Sequence, residues 1–383
     1  MKKVYADQAA TSFPKAPGVG EALKYYVEEI GANINRGVYG NALSAEETVL
    51  ETREILARLF NYEGPENVIF TLNITQALNI LIKGTLKPGD HCIVSSLEHN
   101  AVMRPLFQLK ALGVDFTRVK TDSQGFLNPN HIKEAFTANT KAVILTHASN
   151  VCGTVFPLQE IGALCREKGA FFIVDSAQTA GAIEIDMQDY NIDALAFTGH
   201  KSLLGPQGIG GFVIQNELAE IIEPLFTGGT GSLSASEEIP TFLPDKFEAG
   251  TPNIPGIFGL HRALHYLEEQ GLKNLHSQTM KITEFFLEGI KDLKHITLIG
   301  PKDLKNRTAV VSLDFPNHDN GTVAYILEKN YGIMTRSGLH CSPSAHQTLG
   351  TFPDGTVRFS FNHSNTVEEV EYIINCLQDL KCF

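Results

Sequence analysis

The stretch VDSAQTAGAIEIDMQDYNIDALAFTGHKSLLGPQGIG, residues 174–210, decides the fold. It opens at the end of an apolar run, AFFIVDSA (170–177), and crosses a turn-rich segment into a second run, DALAFTG (193–199). There it delivers His200 and Lys201 into a Gly- and Pro-punctuated turn ahead of a third run, GIGGFVI (208–214). Runs this continuously apolar read as strands covered on both faces, which predicts a mostly parallel sheet layered with helices. In an open sheet of that kind ligands collect outside the carboxyl ends of the strands, so Asp175 and Lys201 are expected to face one cleft.

The same rhythm extends upstream through NVIFTL (67–72), HCIVSS (91–96), VDFTRV (114–119) and KAVILTHAS (141–149), with helical patterns such as Thr75–Lys83 and Leu158–Lys168 between runs. This predicts an α/β body with seven strands. After Phe247 the turn-rich EAGTPNIPG leads into IFGLHRALHYLEEQG, whose apolar spacing is helical and long enough to connect two domains. HITLIG (295–300), TAVVSLDF (308–315), GTVAYILEKNYG (321–332), TVRFSF (356–361) and TVEEVEYIINCLQDL then predict a smaller α+β unit. The expected division is a large domain over 15–258 and a small one formed by 1–14 and 259–383, with the first residues folding back beside the site.

The 383 residues carry 31 Lys+Arg against 43 Asp+Glu, a net charge of −12, and 43% are hydrophobic. That apolar fraction supports sizeable cores and excludes a disordered chain. The acidic balance argues against nucleic acid or an anionic membrane surface as partner. Six cysteines, at 92, 152, 165, 341, 376 and 382, form no C-x-x-C pair and read as reduced thiols. MKKVYADQAATSFP meets Asp7, Gln8 and Pro14 before any apolar run, and no apolar stretch reaches the ~20 residues of a spanning helix, so the expected location is the cytoplasm.

A lysine at a strand end can form a Schiff base with a carbonyl cofactor, and a buried aspartate can hold a pyridinium nitrogen protonated. Asp175 and Lys201 are therefore the minimal equipment for pyridoxal phosphate. Across nearly the whole chain, DQAATSFPKAP, RGVYGNALS, NITQALN, SLEHNAV, HASNVCGTVFP, VDSAQ, TGHKSLLGPQGIG, FEAGTPN, RSGLHCSPSAH and TVRFSFNHSNT follow in order. With these strings the sequence resembles the fold-type I pyridoxal-phosphate enzymes of the class V aminotransferase group, and specifically the cysteine desulfurases.

The resemblance implies roles residue by residue. Lys201 is the Schiff-base lysine, Asp175 the partner of the pyridine nitrogen, and His99 the histidine stacked on the ring that moves protons. Asn150 and Gln178 hydrogen-bond the cofactor's 3-hydroxyl oxygen. Thr75, Thr198, His200 and Thr251 bind the phosphate, helped by the main-chain N–H groups of Ile74 and Thr75 at a helix start. Thr251 reaches the site of a neighbouring subunit, which implies a homodimer with shared sites. Arg358 forks onto the substrate α-carboxylate, assisted by Arg336 and Asn150, and Arg36 resembles a residue lent to the partner. Taken alone, Thr75 reads as an ordinary N-cap, and Asn150 or Gln178 as turn capping; only the constellation changes that.

Cys341 separates the reaction classes. In RSGLHCSPSAH it is flanked by His340 with Arg336 nearby, a setting that favours the thiolate. Cys92, Cys165 and Cys376 read as filler, Cys152 carries no role, and Cys382 lies in the tail. The resemblance implies that L-cysteine loses its sulfur to the Cys341 thiolate, leaving a persulfide and alanine, with an acceptor protein or small thiol taking the sulfur onward. The alternatives are a selenocysteine lyase acting on L-selenocysteine, a plain class V aminotransferase, and a non-catalytic scaffold, which predicts erosion at Lys201, Asp175 or Cys341.

Two departures from the commonest family strings stand out. Ile74-Thr75-Gln76 replaces Thr-Thr-Glu, and Asn35 stands where a histidine often precedes the arginine. The compact catalytic segment resembles the subgroup with a short, ordered loop, which includes selenocysteine lyase-like members. No metal is expected: His261 and His265 are spaced i,i+4 but lack further ligands in sequence, and His340, Cys341 and His346 belong to the desulfurase loop.

Overall fold

A computed structural model describes residues 2–35, 37–233 and 235–380. Its strands are β1 (Val4–Tyr5), β2 (Val68–Thr71), β3 (His91–Ser95), β4 (Asp115–Val119), β5 (Thr140–Thr146), β6 (Phe171–Asp175), β7 (Ala194–Thr198) and β8 (Gly210–Ile214), followed by β9 (Thr297–Ile299), β10 (Val310–Asp314), β11 (Ile333–Met334), β12 (Arg336–Gly338) and β13 (Thr356–Ser360). A seven-stranded sheet runs in the order β2-β8-β7-β6-β5-β3-β4. β8 is antiparallel to both neighbours and every other pair is parallel. The α/β class and the seven strands read from the sequence are those observed.

Side chains alternate between two cores along these strands, as the pleat requires. Ile93, Val143, Leu145, Phe172, Val174, Leu195 and Phe197 enter one core, while Cys92, Val94, Ala142, Ile144, Ile173, Ala194 and Ala196 enter the other. Both faces are thus covered, which is why the strands are apolar throughout rather than alternating with polar residues. Helix Leu158–Lys168 stops at Gly169, whose φ of 67° suits a residue without Cβ.

A four-stranded antiparallel sheet, β12-β13-β10-β9, carries a third core with helices Leu272–Ile290 and Val367–Asp379. The latter helix begins in a capping box between Thr366 and Glu369. Helix Ile254–Gln270 starts at an Asn253 cap and sinks Ile257, Leu260, Leu264 and Leu267 into the first core. The amino-terminal segment folds back: β1 pairs with β11, Asp7 bridges to Ser360, and the Ser12 N–H donates to the His200 carbonyl oxygen at 3.0 Å.

Candidate active site

Five strand ends deliver the chemistry, four of them adjacent and the fifth, that of β2, one strand beyond. β6 ends on Asp175, β7 on Thr198 ahead of His200 and Lys201, β5 runs on to Asn150, β3 to Glu98 and His99, and β2 to the helix Ile74–Thr85. Asp175 lies between Thr146 of β5 and Ala196 of β7. Its carboxyl is buried and accepts the Ala177 N–H at 2.9 Å. Burial raises its pKa, opposed by that N–H and by Lys201. The Lys201 ammonium is pushed down to about 8 by loss of solvent, with Arg358 and Arg336 adding to the shift and Asp175 opposing it. A lysine so poised gives up its proton far more readily than an ordinary one.

The amino-terminal arm braces this turn. Lys15 Nζ donates to the His200 carbonyl oxygen at 2.8 Å and to the hydroxyls of Thr11 and Ser12, while His200 Nδ1 lies 3.0 Å from Thr11 Oγ1. Gln178 donates its amide to the Ala9 carbonyl oxygen at 3.2 Å. Buried Thr198 Oγ1 has no hydrogen-bond partner among the described residues.

His99 caps helix Asn100–Lys110, its Nδ1 accepting the Ala101 N–H at 3.0 Å. Desolvation, then Lys201, Arg336, Arg104 and Arg358, bring its pKa down to about 4, so the ring is neutral at neutral pH. Beside it Glu98 is fully buried. It accepts the Ser95 hydroxyl at 2.5 Å and the Thr146 N–H at 2.9 Å, and burial pushes its pKa up to about 8. His99 and Cys341 line one cleft with Thr75 and Arg104.

Cys341 sits at the tip of a reverse turn closed by the Ser342 N–H donating to the Leu339 carbonyl oxygen at 2.9 Å. The central residues His340 and Cys341 both have left-handed φ, 48° and 61°. Neither is a glycine, so the turn is strained and must be held from outside. Asn150 and the Asn100 N–H, which donates to the Cys341 carbonyl oxygen at 2.8 Å, supply that hold. Cys341 is the one exposed thiol among the described residues, and Arg336 Nη2 lies 3.5 Å from its Sγ. Cys92, Cys152, Cys165 and Cys376 are buried, the first pushed up to about 12 by desolvation. Cys382 lies outside the described residues.

Arg336 and Arg358 are direct partners across β12 and β13. Like charges so placed repel unless an anion lies between them. Arg358 is almost completely buried. Nη2 donates to Asp7 Oδ1 at 2.8 Å and Nη1 to the Asn150 carbonyl oxygen at 3.0 Å, while Nε has no partner among the described residues.

The sequence-derived residues do not all meet. Asp175, Arg336 and Arg358 lie close enough to Lys201 to shift its proton affinity, and Lys201, Arg336 and Arg358 do the same to His99. Ile74 and Thr75 open their helix, with N–H groups preceding the first intrahelical bonds and Asn73 capping Gln76. Ile74 turns its side chain against the sheet's second core. Thr251 is exposed, beside Asn33 at 3.5 Å, and lines neither the Lys201 cleft nor the Cys341 cleft. Arg36 lies outside the described residues.

Three participants were not legible as such. Asp7 stands inside the DQAAT string yet only the fold brings it to Arg358. Glu98 sits in EHN and its burial alone makes it unusual. Glu248 of FEAGTPN takes the Arg53 fork at 2.8 and 2.7 Å and accepts the Phe70 N–H at 2.7 Å, so it anchors the segment leading to Thr251.

Comparison with known proteins gives the family. The family described as Aminotransferase class-V matches residues 4–373. A protein of Methanothermobacter thermautotrophicus named "Probable cysteine desulfurase" is 35% identical over 98% of this chain and 94% of its own length. One of the same name from Pyrococcus abyssi is 34% identical with the same coverage of each. The apo structure of cysteine desulfurase from Thermococcus onnurineus NA1 is 33% identical and superposes with a TM-score of 0.92 over 100% of this chain and 95% of that one. With the residues of its site delivered by the same strand ends that its sequence motifs mark, the chain belongs to the class V aminotransferase family, among its cysteine desulfurases.

Proposed function

We propose that this chain is a pyridoxal-phosphate-dependent cysteine desulfurase that takes sulfur from L-cysteine onto Cys341 and releases L-alanine. The observation that carries the reading is Cys341: the exposed thiol stands on a strained, clamped turn beside a guanidinium, in the cleft shared with His99. A structural thiol would be buried like the other four described.

The donor set fits the cofactor. Lys201 offers an amine with a lowered pKa, Asp175 a buried carboxyl, Thr198 an unpartnered buried hydroxyl, and Ile74 and Thr75 the N–H groups of a helix start. When bound, pyridoxal phosphate supplies the electron sink that loosens the Cα–H and Cβ–S bonds of the amino acid. With the cofactor bound, Asp175 would keep the ring nitrogen protonated, His99 would offer a neutral imidazole to the ring, and Gln178, His200 and Asn150 would supply polar contacts. Lys201 anchors the cofactor and moves the α-proton.

Arg358 and Arg336 hold the α-carboxylate between them, which relieves their mutual repulsion. The Cys341 thiolate attacks the substrate sulfur: the new S–S bond forms as Cβ–S breaks, the electron pair passes to the carbon side, and protonation there yields alanine. A docking protein or small thiol then attacks the outer sulfur of the persulfide and regenerates the thiolate.

The same reading includes a homodimer in which exposed Thr251, together with Arg36, serves the neighbouring subunit. It divides the chain into 15–258 and 1–14 with 259–383, the helix Ile254–Gln270 acting as connector. Among the described residues no helix is long and apolar enough to cross a membrane, in keeping with a cytoplasmic enzyme.

The test is an absorbance spectrum of the purified protein with an alanine assay on L-cysteine. Cys341→Ser is expected to keep the cofactor band and lose alanine formation; full turnover by that variant would sink the assignment. Alanine from L-selenocysteine at an unchanged rate in Cys341→Ser, with none from L-cysteine even in wild type, would favour the selenocysteine lyase instead.

A further inference from the structure

Helix Gly40–Leu59 packs along helix Ile254–Gln270, and at their contact three side chains converge outside the clefts that hold Lys201 and Cys341. His261 and His265 share one helix face, one turn apart. Glu51 reaches between them from the facing helix. His261 Nε2 lies 3.0 Å from Glu51 Oε2, His265 Nε2 lies 3.2 Å from Glu51 Oε1, and the two Nε2 atoms lie 3.1 Å apart. The rings stand at 86° to one another.

With Glu51 ionised, no arrangement of protons satisfies all three contacts. If both Nε2 atoms carry hydrogen, two N–H groups oppose each other; if either lacks it, a lone pair faces the carboxylate. A cation held between the two Nε2 atoms and the carboxylate satisfies every contact, because each group then offers it a lone pair. Metal bonds of about 2.0–2.1 Å in a tetrahedral site imply ligand–ligand edges of about 3.3–3.4 Å; the two Nε2 atoms are 3.1 Å apart and need to part by only about 0.2–0.3 Å, and each already lies 3.0–3.2 Å from one oxygen of the facing carboxylate.

A carboxylate that could turn onto the second ring nitrogen also lies nearby, just beyond hydrogen-bond distance. His265 Nδ1 faces Glu268 Oε2 at 3.7 Å, and Glu268 is held by Arg58 at 3.0 Å. Ligating histidines characteristically turn their second ring nitrogen to such a group, which fixes the tautomer that leaves Nε2 free for the metal.

We propose that Glu51, His261 and His265 bind one divalent transition-metal ion of the imidazole- and carboxylate-preferring class, Zn²⁺ or Co²⁺, with a fourth position for water. The i,i+4 histidines were visible in the sequence, but their third ligand comes from a residue 210 positions away that only the fold supplies. Such an ion staples helix Gly40–Leu59 to the helix that follows Thr251.

Full-length protein, stripped with chelator, is titrated with Co²⁺ and separately with Zn²⁺. The expected result is one Co²⁺ per chain with the visible absorption of a tetrahedral site, and a rise in Tm of roughly 2–5 °C at saturating Zn²⁺. Binding is expected to persist in Cys341→Ser, to be lost in His261→Asn and His265→Asn, and to weaken roughly tenfold in Glu268→Gln. Each histidine variant is checked to retain the far-UV circular dichroism and metal-free Tm of the parent. No saturable binding by the wild type overturns the proposal. So does stoichiometric binding that survives in the histidine double variant or disappears in Cys341→Ser, since the ion then sits elsewhere.

Discussion

Asn150 donates its side-chain amide to the carbonyl oxygen of His340 at 2.6 Å. The other end of the same amide accepts the Ser342 hydroxyl at 2.8 Å, so one side chain from the end of β5 grips both flanks of Cys341. The chemistry of the seven-stranded and four-stranded sheets is joined at this point: Asn150 leads from the strand beside Asp175, whereas Cys341 follows the strand of Arg336. Because His340 and Cys341 both hold left-handed backbone, the turn needs the grip to persist.

Asn150→Ala is therefore expected to leave the buried His340 carbonyl and Ser342 hydroxyl unpaired, at about 1–3 kcal/mol of stability. It should also release the thiol from its position. Denaturant unfolding reads the first effect. Single-turnover persulfide formation reads the second and should fall far more than cofactor binding does.

Cys341→Gly and Cys341→Ala both remove the nucleophile but differ in backbone. Glycine adopts the 61° φ without a Cβ penalty, so the Gly variant should be about 1 kcal/mol more stable than the Ala variant. Equal denaturation midpoints for the two would show that the turn stores no strain at this residue.

Arg358 is buried against Asp7, so Arg358→Ala strands a carboxylate and should destabilise the chain by about 3–5 kcal/mol. Arg358→Lys keeps the charge but not the fork. It is expected to retain the fold and cofactor while kcat/KM for L-cysteine drops roughly 10–100-fold, chiefly through KM. Steady-state kinetics with a far-UV circular dichroism control measure this; an unchanged KM would remove Arg358 from carboxylate binding.

Glu98 gives a pH dependence with a definite sign. Its folded pKa is raised to about 8, so between the ordinary carboxyl range and about 8 the folded chain holds a proton that the unfolded chain has released. Stability from this group falls as pH rises through that window and levels off above it. Glu98→Gln, which stays neutral and can still accept the Thr146 N–H, should flatten that slope. Tm measured from pH 5 to 9 for both proteins checks it, with parallel curves as the contrary outcome.

Much of the site was legible because its residues sit at strand ends, and strand ends are local. The apolar runs ending in Asp175 and Thr198 marked both the sheet and the place where Lys201 would stand. Helix Leu158–Lys168 was equally plain, since its apolar spacing and terminal glycine are both local signals. Cys341 could be singled out by its Gly- and Pro-marked segment, but its strained φ and its clamp could not. A hydrogen bond from Asn150 to His340 spans 190 positions and leaves no periodicity behind.

The sequence by itself determined the α/β class, the order of the strands along the chain and the chemical identity of the reacting groups. These follow from patterns with a period of two or 3.6 residues and from short motifs. Tertiary structure alone decided which charges meet: Asp7 with Arg358, Arg53 with Glu248, and Glu51 with His261 and His265. It also decided that the Glu98 proton affinity rises and that of Lys201 falls. The reason is physical: burial and Coulomb energy depend on distances through space, and no local pattern encodes a distance between residues hundreds of positions apart.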